Sequence, residues 1–179
     1  MPLTQPETVK SQGNTTLIVL TTPPAVVTAP TLAELNAGEF ITVHVYGDFG
    51  ATPTQNVGSA PRKMGSRVEP QQLGNITYTI NDISYSYVPQ LTPTPSSPGN
   101  EAFEALTEGT EVYLVEGPGI DGLTSALATD DVVNIYHVEC GVQRRGRTGD
   151  GEFDEFNVQQ SFVMVDGAEP QYDYEVPAA

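Results

Sequence analysis

Short runs of alternating hydrophobic and polar residues recur along the chain and predict β-strands. The clearest run is Ile76–Tyr87, in which the apolar side chains change face between Ile80 and Ile83. A two-residue turn at Asn81–Asp82 would place Ile80 opposite Ile83 and so explain the change of face. A bulge in one long strand explains it equally well. Further strands are predicted at 16–21, 40–46, 111–116, 132–142 and 157–165, with a last short strand or arm at 172–176.

Two segments carry helix signals instead. Thr31 and Glu34 fit a capping box, in which each side chain accepts a hydrogen bond from the other residue's amide, and predict a short helix at 32–37. Asn100 is a candidate N-cap for a second helix at 101–107, with Phe103 and Leu106 on its buried face. Many strands with one substantial helix predict a mainly β fold, a β-sandwich or barrel with a short helix packed on it.

Polar segments rich in glycine and proline separate these elements. The segment 48–74 is predicted to be a long loop, and a loop of that size inside a compact domain is usually functional. Residues 92–99 are typical of a linker-like series of turns. We therefore expect an N-terminal arm at 1–15 and one β-sandwich domain at 16–179, which ends in a C-terminal arm at 167–179.

Acidic residues outnumber basic ones and concentrate in the second half of the chain. The 179 residues include 23 acidic and 7 basic ones, a net charge of −16, and residues 100–179 hold 17 acidic and 3 basic ones, a net charge of −14. Such a surface repels nucleic acid, membrane headgroups and other polyanions, although solubility alone would also explain it. The candidates for an exposed acidic wall are Asp130, Asp131, Asp150, Glu152, Asp154 and Glu155.

Six of the seven basic residues form two clusters in predicted loops. The clusters are Arg62, Lys63 and Arg67, and Arg144, Arg145 and Arg147. The surrounding negative charge opposes nucleic-acid binding, whereas guanidinium groups pair well with carboxylates. We predict that the clusters contact acidic faces of neighbouring subunits; two exposed, solubilising loops are the equal alternative.

The sequence contains no recognisable catalytic or metal-binding pattern. His44 and His137 lie in separate strand patterns and form no metal-spaced pair. Asp150–Glu155 could hold calcium but lacks EF-hand spacing, and a solvated hairpin tip is preferred. Gly117–Gly122 lacks the lysine of a phosphate-binding loop. The single Cys140 excludes an internal disulfide and is expected to be buried and inert. We expect no enzymatic activity, cofactor or metal.

Five stretches carry a family resemblance when they are taken together. The leading ones are YVPQ at 87–90 and NEAFEALTEGTEVYLV at 100–115, supported by APTLAELNAG at 29–38, DDVVNIYHVE at 130–139 and VQQSFV at 158–163. Across about residues 29–166 the chain resembles the major tail proteins, or tail tube proteins, of long-tailed phages, especially those that infect actinobacteria. Members of that family often carry an arginine after the position of Val115, where this chain has Glu116 and Gly117.

The resemblance implies a β-sandwich with a flanking helix, six copies per ring, and rings stacked into a hollow tube. One sheet of each subunit would line the lumen, and the 48–74 segment and both terminal segments would bind neighbouring subunits. An acidic lumen would let DNA slide without binding. The implied partners are other copies of the chain, tape-measure and tail-tip proteins, and passing DNA, in a virion tail assembled in the host cytoplasm.

Other function classes remain open. A binding module, such as a decoration, an adhesin or a carbohydrate-binding domain, would be stable as a monomer, although the lack of tryptophan weakens the carbohydrate case. An enzyme would show a pocket with converging carboxylates and shifted pKa values. A tail terminator or a tube-like secretion protein would share the fold, and ring stacking would separate these possibilities. The N-terminal stretch has no basic region followed by an apolar one, so we expect neither a secretory signal nor a membrane partner.

Overall fold

The computed structural model describes residues 8, 10–91 and 99–178. This part of the chain contains twelve antiparallel strands in three sheets and two short helices. The strands are β1 Thr15–Leu20, β2 Glu39–Phe40, β3 Val45–Tyr46, β4 Ala51–Ser59, β5 Gln71–Ile80, β6 Ile83–Ser86, β7 Glu111–Pro118, β8 Val132–Cys140, β9 Arg144–Arg147, β10 Phe156–Gln160, β11 Phe162–Met164 and β12 Gln171–Glu175. The helices are α1 Leu32–Asn36 and α2 Glu101–Ala105, and Thr42–His44 forms a 3-10 helix. These elements confirm the predicted mainly β, sandwich-type fold.

The larger sheet is buried on both faces. Its strands follow the order β11-β8-β7-β1-β2, and β12 also pairs with β8, beside β11. Alternate residues of β1 point to opposite sides, so that Leu17 joins one hydrophobic cluster and Ile18 the other. The first cluster lies against a second sheet and α2, and the second lies under α1 and the C-terminal segment, where Leu35 and Val176 are fully buried.

The second sheet has one buried and one open face. It contains four strands in the order β3-β6-β10-β9. Ile83, Tyr85 and Val158 point into the first cluster and are almost completely buried, which ties this sheet to the larger one. The opposite face carries polar side chains, and both β3 and β9 are edge strands.

The predicted long loop at 48–74 is wrong. β4 and β5 form a separate two-stranded hairpin, here called the arm, and residues 60–70 between them form the arm tip. Residues 52–59 of β4 are all exposed. Periodicity could not reveal β4 or the first half of β5, because these residues are exposed and show no apolar alternation, whereas Ile76–Ile80 was predicted as a strand.

Two predicted single strands are divided between the sheets. The predicted strand at 40–46 is interrupted by the 3-10 helix, where the Leu17 amide donates to Thr42 Oγ1 at 2.7 Å and the Ile41 amide donates to the Leu17 carbonyl at 3.0 Å. The predicted strand at 157–165 is interrupted at Ser161, with β10 in the smaller sheet and β11 in the larger one. Alternation continued through the break at Ser161 because Val158 and Phe162 enter the same core, whereas Val43, in the 3-10 helix, is 65% exposed.

The change of face between Ile80 and Ile83 has a different cause from the two explanations considered. β5 pairs with β4 and β6 pairs with β3 and β10, so the predicted two-residue turn is wrong and no single bulged strand is formed. The chain instead passes from the arm into the smaller sheet at Asn81 and Asp82, where the Asn81 amide donates to the Gly50 carbonyl at 3.0 Å.

The capping box of α1 is confirmed, and Asn100 lies at the N-cap position of α2 as predicted, although its side chain forms no capping hydrogen bond. Thr31 Oγ1 accepts from the Glu34 amide, and the Glu34 carboxylate accepts from the Thr31 amide at 2.7 Å. The Asn100 side chain makes no cap bond; it accepts from the Val88 amide at 2.9 Å and donates to the Val88 carbonyl at 3.2 Å. Leu106 is buried as predicted, whereas Phe103 is only half-buried.

The remaining predictions concern the N-terminal and C-terminal segments of the chain, the segment between β6 and α2, and Cys140. Residues 171–175 form β12, so the strand alternative holds for the C-terminal segment. Residues 92–98 of the predicted turns, and residues 1–7 and 9 of the predicted N-terminal arm, lie outside the described residues. Cys140 is 1% exposed as expected, and its burial raises the pKa of the thiol to about 11.

Candidate assembly surfaces

The open face of the four-stranded sheet is polar and carries no carboxylate on its strands. Directly opposed residues share a face, which places Tyr46, Ser84, Gln159 and Arg144 in one row across the four strands. The next row contains Ser86, Asn157 and Gly146; Asn157 is only 4% exposed, and its side-chain amide donates to Ser84 Oγ at 2.9 Å. This face therefore presents hydroxyl and amide groups with one guanidinium.

One acidic residue reaches this face from outside its strands. The Tyr46 hydroxyl donates a hydrogen bond to the Glu155 carboxylate. Burial raises the pKa of Tyr46 to about 12, and the hydrogen bond and negative charge of Glu155 add to the effect. The contact joins β3 to the loop between β9 and β10, so Glu155 is fixed at one end of the open face.

The arginine cluster at 144–147 lies on an edge strand and not in a loop. The sequence Arg-Arg-Gly-Arg has no apolar alternation, which is why the strand was missed. Arg145 lies on the same face as the buried Val158, and its Cζ is 5.3 Å from the ring centres of both Tyr87 and Phe103. Arg147 Cζ lies 5.3 Å from the ring centre of Phe156. Cation–π contacts hold these two side chains along the free edge of β9.

The β9 arginines keep their charge available for another molecule. Among the described residues, the only basic side chains with a nitrogen within 4.0 Å of a carboxylate oxygen are His44 and His137, so none of the three arginines pairs with a carboxylate. A shallow groove beside β9 is lined by Tyr87, Pro89, Phe156 and the arginines 145 and 147. The groove therefore combines positive charge with apolar surface.

The six acidic-wall candidates divide into two groups. Asp150, Glu152, Asp154 and Glu155 lie in the loop between β9 and β10, at the predicted hairpin tip, whereas Asp130 and Asp131 precede β8 of the larger sheet. The Asp154 carboxylate stabilises its loop by accepting from Thr148 Oγ1 at 2.9 Å and from the Gly151 amide. Across residues 8, 10–91 and 99–178 no three His, Cys, Asp or Glu side chains converge as they would to bind a metal ion.

The other basic cluster lies at the arm tip. Arg62, Lys63 and Arg67 are exposed, and Met64 between them is completely exposed. Further large apolar side chains are exposed along the arm, namely Val57, Val68, Leu73 and Ile76. Cationic groups next to uncovered apolar surface are typical of a segment that another molecule covers.

Both histidines have structural partners. His44 lies in the 3-10 helix and not in a strand; its Nε2 is 3.1 Å from Glu101 Oε2 and its Nδ1 is 3.1 Å from Ser86 Oγ. The His137 ring stacks on Tyr113 with 4.3 Å between ring centres, and its Nε2 is 3.3 Å from a Glu111 carboxylate oxygen. Each histidine therefore links neighbouring elements.

Two glutamines that sequence analysis did not single out hold α2 between the sheets. Gln160 is completely buried; its side-chain amide donates to the carbonyls of Leu106 at 3.0 Å and Gly141 at 2.8 Å, and it accepts from the Tyr85 hydroxyl at 3.0 Å. Gln143 donates to the Leu106 carbonyl at 3.0 Å and to the Tyr85 hydroxyl at 3.2 Å. A glutamine within a strand pattern gives no sequence signal of this role.

A cavity of about 270 Å³ lies at the base of the arm. Asp48 and Glu116 supply its carboxylates. The other lining residues are Ser11, Thr15, Leu17, Thr42, Val45, Gly47, Phe49 and Pro118. Glu116 Oε2 accepts from the Tyr136 hydroxyl at 2.8 Å and from the Asn134 side-chain amide at 3.2 Å. Burial, followed by the charge of Glu116, raises the pKa of Tyr136 well above its ordinary value.

Comparison with known proteins identifies the family. None of the described helices is long and apolar enough to span a membrane. A search of curated proteins gave no match. The model of one family, described as phage tail tube protein, matches residues 1–179 and so covers the whole sequence. The chain belongs to the phage tail tube protein family.

Proposed function

We propose that this tail tube protein forms rings of six subunits that stack into a hollow tube through which DNA passes during ejection. As a tail tube protein it is a structural component of the virion tail and assembles with copies of itself into a tube. The observation that carries the proposal is the four-stranded sheet, which has an open face and two free edges, β3 and β9. Unpaired edges are template sites for further strands, and a closed ring removes them.

The open face of the four-stranded sheet is proposed to line the bore. The larger sheet is covered on both faces by hydrophobic clusters, which leaves the smaller sheet as the one with a free polar face. Hydroxyl and amide groups bind a passing phosphate weakly, and the net charge of −16 per subunit repels it. A bore surface that binds phosphate weakly would let DNA move through the tube without being retained.

The acidic loop between β9 and β10 is proposed to form an acidic rim at one end of the bore. Its members are Asp150, Glu152, Asp154 and Glu155, and Glu155 already reaches the open face through Tyr46. Asp130 and Asp131 belong to the larger sheet and would lie away from the bore in this arrangement. The acidic wall is therefore proposed to be a rim of loops and not the sheet face itself.

The two basic clusters are proposed to hold the subunits together against their mutual repulsion. Rings of subunits with a net charge of −16 repel one another unless cations or salt intervene. Arg144, Arg145 and Arg147 lie on the edge that ring closure would pair, and the tip cluster extends away from the body on the arm. Tape-measure and tail-tip proteins are proposed to nucleate the tube in the host cytoplasm.

Negative-stain electron microscopy of the concentrated protein, with and without tail-tip complexes as seeds, tests this function. We expect hollow tubes or stacked rings. A protein that stays monomeric with seeds would contradict the proposal and favour a binding module. Single rings that never stack would instead favour a tail terminator.

A further inference from the structure

Within the described part of the chain, the arm is exposed along most of its length. Two-stranded hairpins are marginally stable by themselves in water. The arm nevertheless exposes Val57, Leu73 and Ile76 along its strands and Met64 and Val68 at its tip. A hairpin with this much uncovered apolar surface is expected to be covered in the assembled protein.

The arm tip and the cavity at the base of the arm lie at opposite ends of the same hairpin. β4 contains nine residues, which at the usual strand rise makes the arm about 30 Å long. Gly47, Asp48 and Phe49 of the cavity directly precede β4. A paired hairpin cannot bend its tip back onto its own base, so any contact between the two must join different copies.

The cavity at the arm base is suited to a cationic side chain. Asp48 is exposed at its mouth. Glu116 is half-buried and fixed through Oε2, and no donor among the described residues reaches its other oxygen, Oε1. Leu17, Val45 and Phe49 supply apolar surface for the methylene groups of a long side chain.

Two other surface pockets are less suited to the arm tip. The groove beside β9 contains Arg145 and Arg147, which would repel the tip cations. The pocket in the loop between β9 and β10 also contains Arg147, and its Asp154 carboxylate already accepts two hydrogen bonds. Among the described residues, the lining of the cavity at the arm base has carboxylates and no cationic side chain.

We propose that the cavity at the arm base binds the basic arm tip of another copy of the chain, with a tip cation between Asp48 and Glu116. The inference rests on the proposed tube, for which it names the docking site of the arm. Because the tip and the cavity are different surfaces of one subunit, the contact is head-to-tail, and it propagates from copy to copy.

A charge swap tests the contact in the full-length chain. The tip variant carries Arg62→Glu, Lys63→Glu and Arg67→Glu, and the cavity variant carries Asp48→Lys. The matched control, Asp82→Lys, makes the same charge change at an exposed residue near the arm base but outside the cavity. Each reversal should raise the protein concentration needed for half-maximal tube assembly by about tenfold, because it replaces attraction by repulsion in a partly enclosed site.

The chain that carries both reversals should regain assembly, whereas Asp82→Lys should assemble like the wild type. Circular dichroism of unassembled subunits checks that every variant folds. If wild-type tubes form and Asp48→Lys assembles equally well, or if the combined variant is not rescued, the docking site is overturned while the tube function stands. If the wild type forms no tubes, the proposed function and the inference fail together.

Cross-linking gives a readout that does not depend on the charge swap. Mixed single-cysteine variants Met64→Cys and Ser11→Cys should be joined by a short bis-maleimide in assembled tubes, since Ser11 lines the cavity. The buried Cys140 does not compete for the reagent. Replacing Ser11→Cys by Phe153→Cys, at a 90% exposed position in the loop between β9 and β10, should remove the cross-link. Equal cross-linking in both mixtures would overturn the site.

Discussion

Individual polar side chains in this protein satisfy backbone groups where regular structure ends. The Leu106 carbonyl, at the end of α2, accepts from the side-chain amides of both Gln143 and Gln160. Asn100 likewise binds both backbone groups of Val88. Buried backbone groups without partners are costly, so these residues fix the positions of α2 and of the segment after β6.

Gln160→Leu is expected to destabilise the unassembled subunit by about 1 to 3 kcal/mol, because the carbonyls of Leu106 and Gly141 and the Tyr85 hydroxyl would lose their buried partner. Urea unfolding followed by circular dichroism measures the change. The control is Gln159→Leu on the exposed side of the same strand, for which we expect a change within about 0.5 kcal/mol. Equal free energies of unfolding for the two variants would contradict the role of Gln160.

At the scale of elements, the sequence predicts what packs on the core. β1, β7 and β8 were predicted from their apolar residues, because these side chains enter the two hydrophobic clusters on opposite faces of the sheet. β4 and β9 were missed because the first is exposed and the second carries arginines. The points at which the chain passes from one sheet to another were also not predicted, since alternation does not indicate which of two facing sheets a strand joins.

The candidate assembly surfaces were likewise predicted from the sequence only in part. Both basic clusters and the acidic loop between β9 and β10 were identified from composition. The cavity at the arm base was missed because Asp48 and Glu116 are far apart in the sequence and line one cavity only in the folded chain. The pairing of β9 with β10, which exposes an arginine edge, likewise depends on tertiary structure.

Shortening the arm is expected to separate folding from assembly. Replacing residues 55–75 by two glycines should leave the thermal midpoint of the unassembled subunit nearly unchanged, because these residues are exposed apart from the tip residues Ala60 and Ser66. The same variant should form no tubes, which electron microscopy with seeds would show. Normal tubes from the shortened chain, or loss of cooperative unfolding, would contradict an arm that functions between subunits.

At the scale of the whole molecule, the two larger sheets and the arm differ in how much of their surface is exposed. The larger sheet is enclosed by two hydrophobic clusters, the smaller sheet keeps one polar face whose strands carry a single charged residue, Arg144, and the arm extends beyond both. Most of the negative charge lies in loops and at strand ends of residues 100–179, outside the open face. A tube built from this subunit would combine a polar wall, an acidic rim and basic contacts between copies.

A cryo-electron microscopy reconstruction of the assembled tube tests the central claim most directly. The account predicts that Tyr46, Ser84, Gln159 and Arg144 face the bore, that β9 of each subunit pairs with β3 of the next, and that each arm lies on another subunit. A bore lined by the larger sheet, or arms folded against their own subunits, would contradict it.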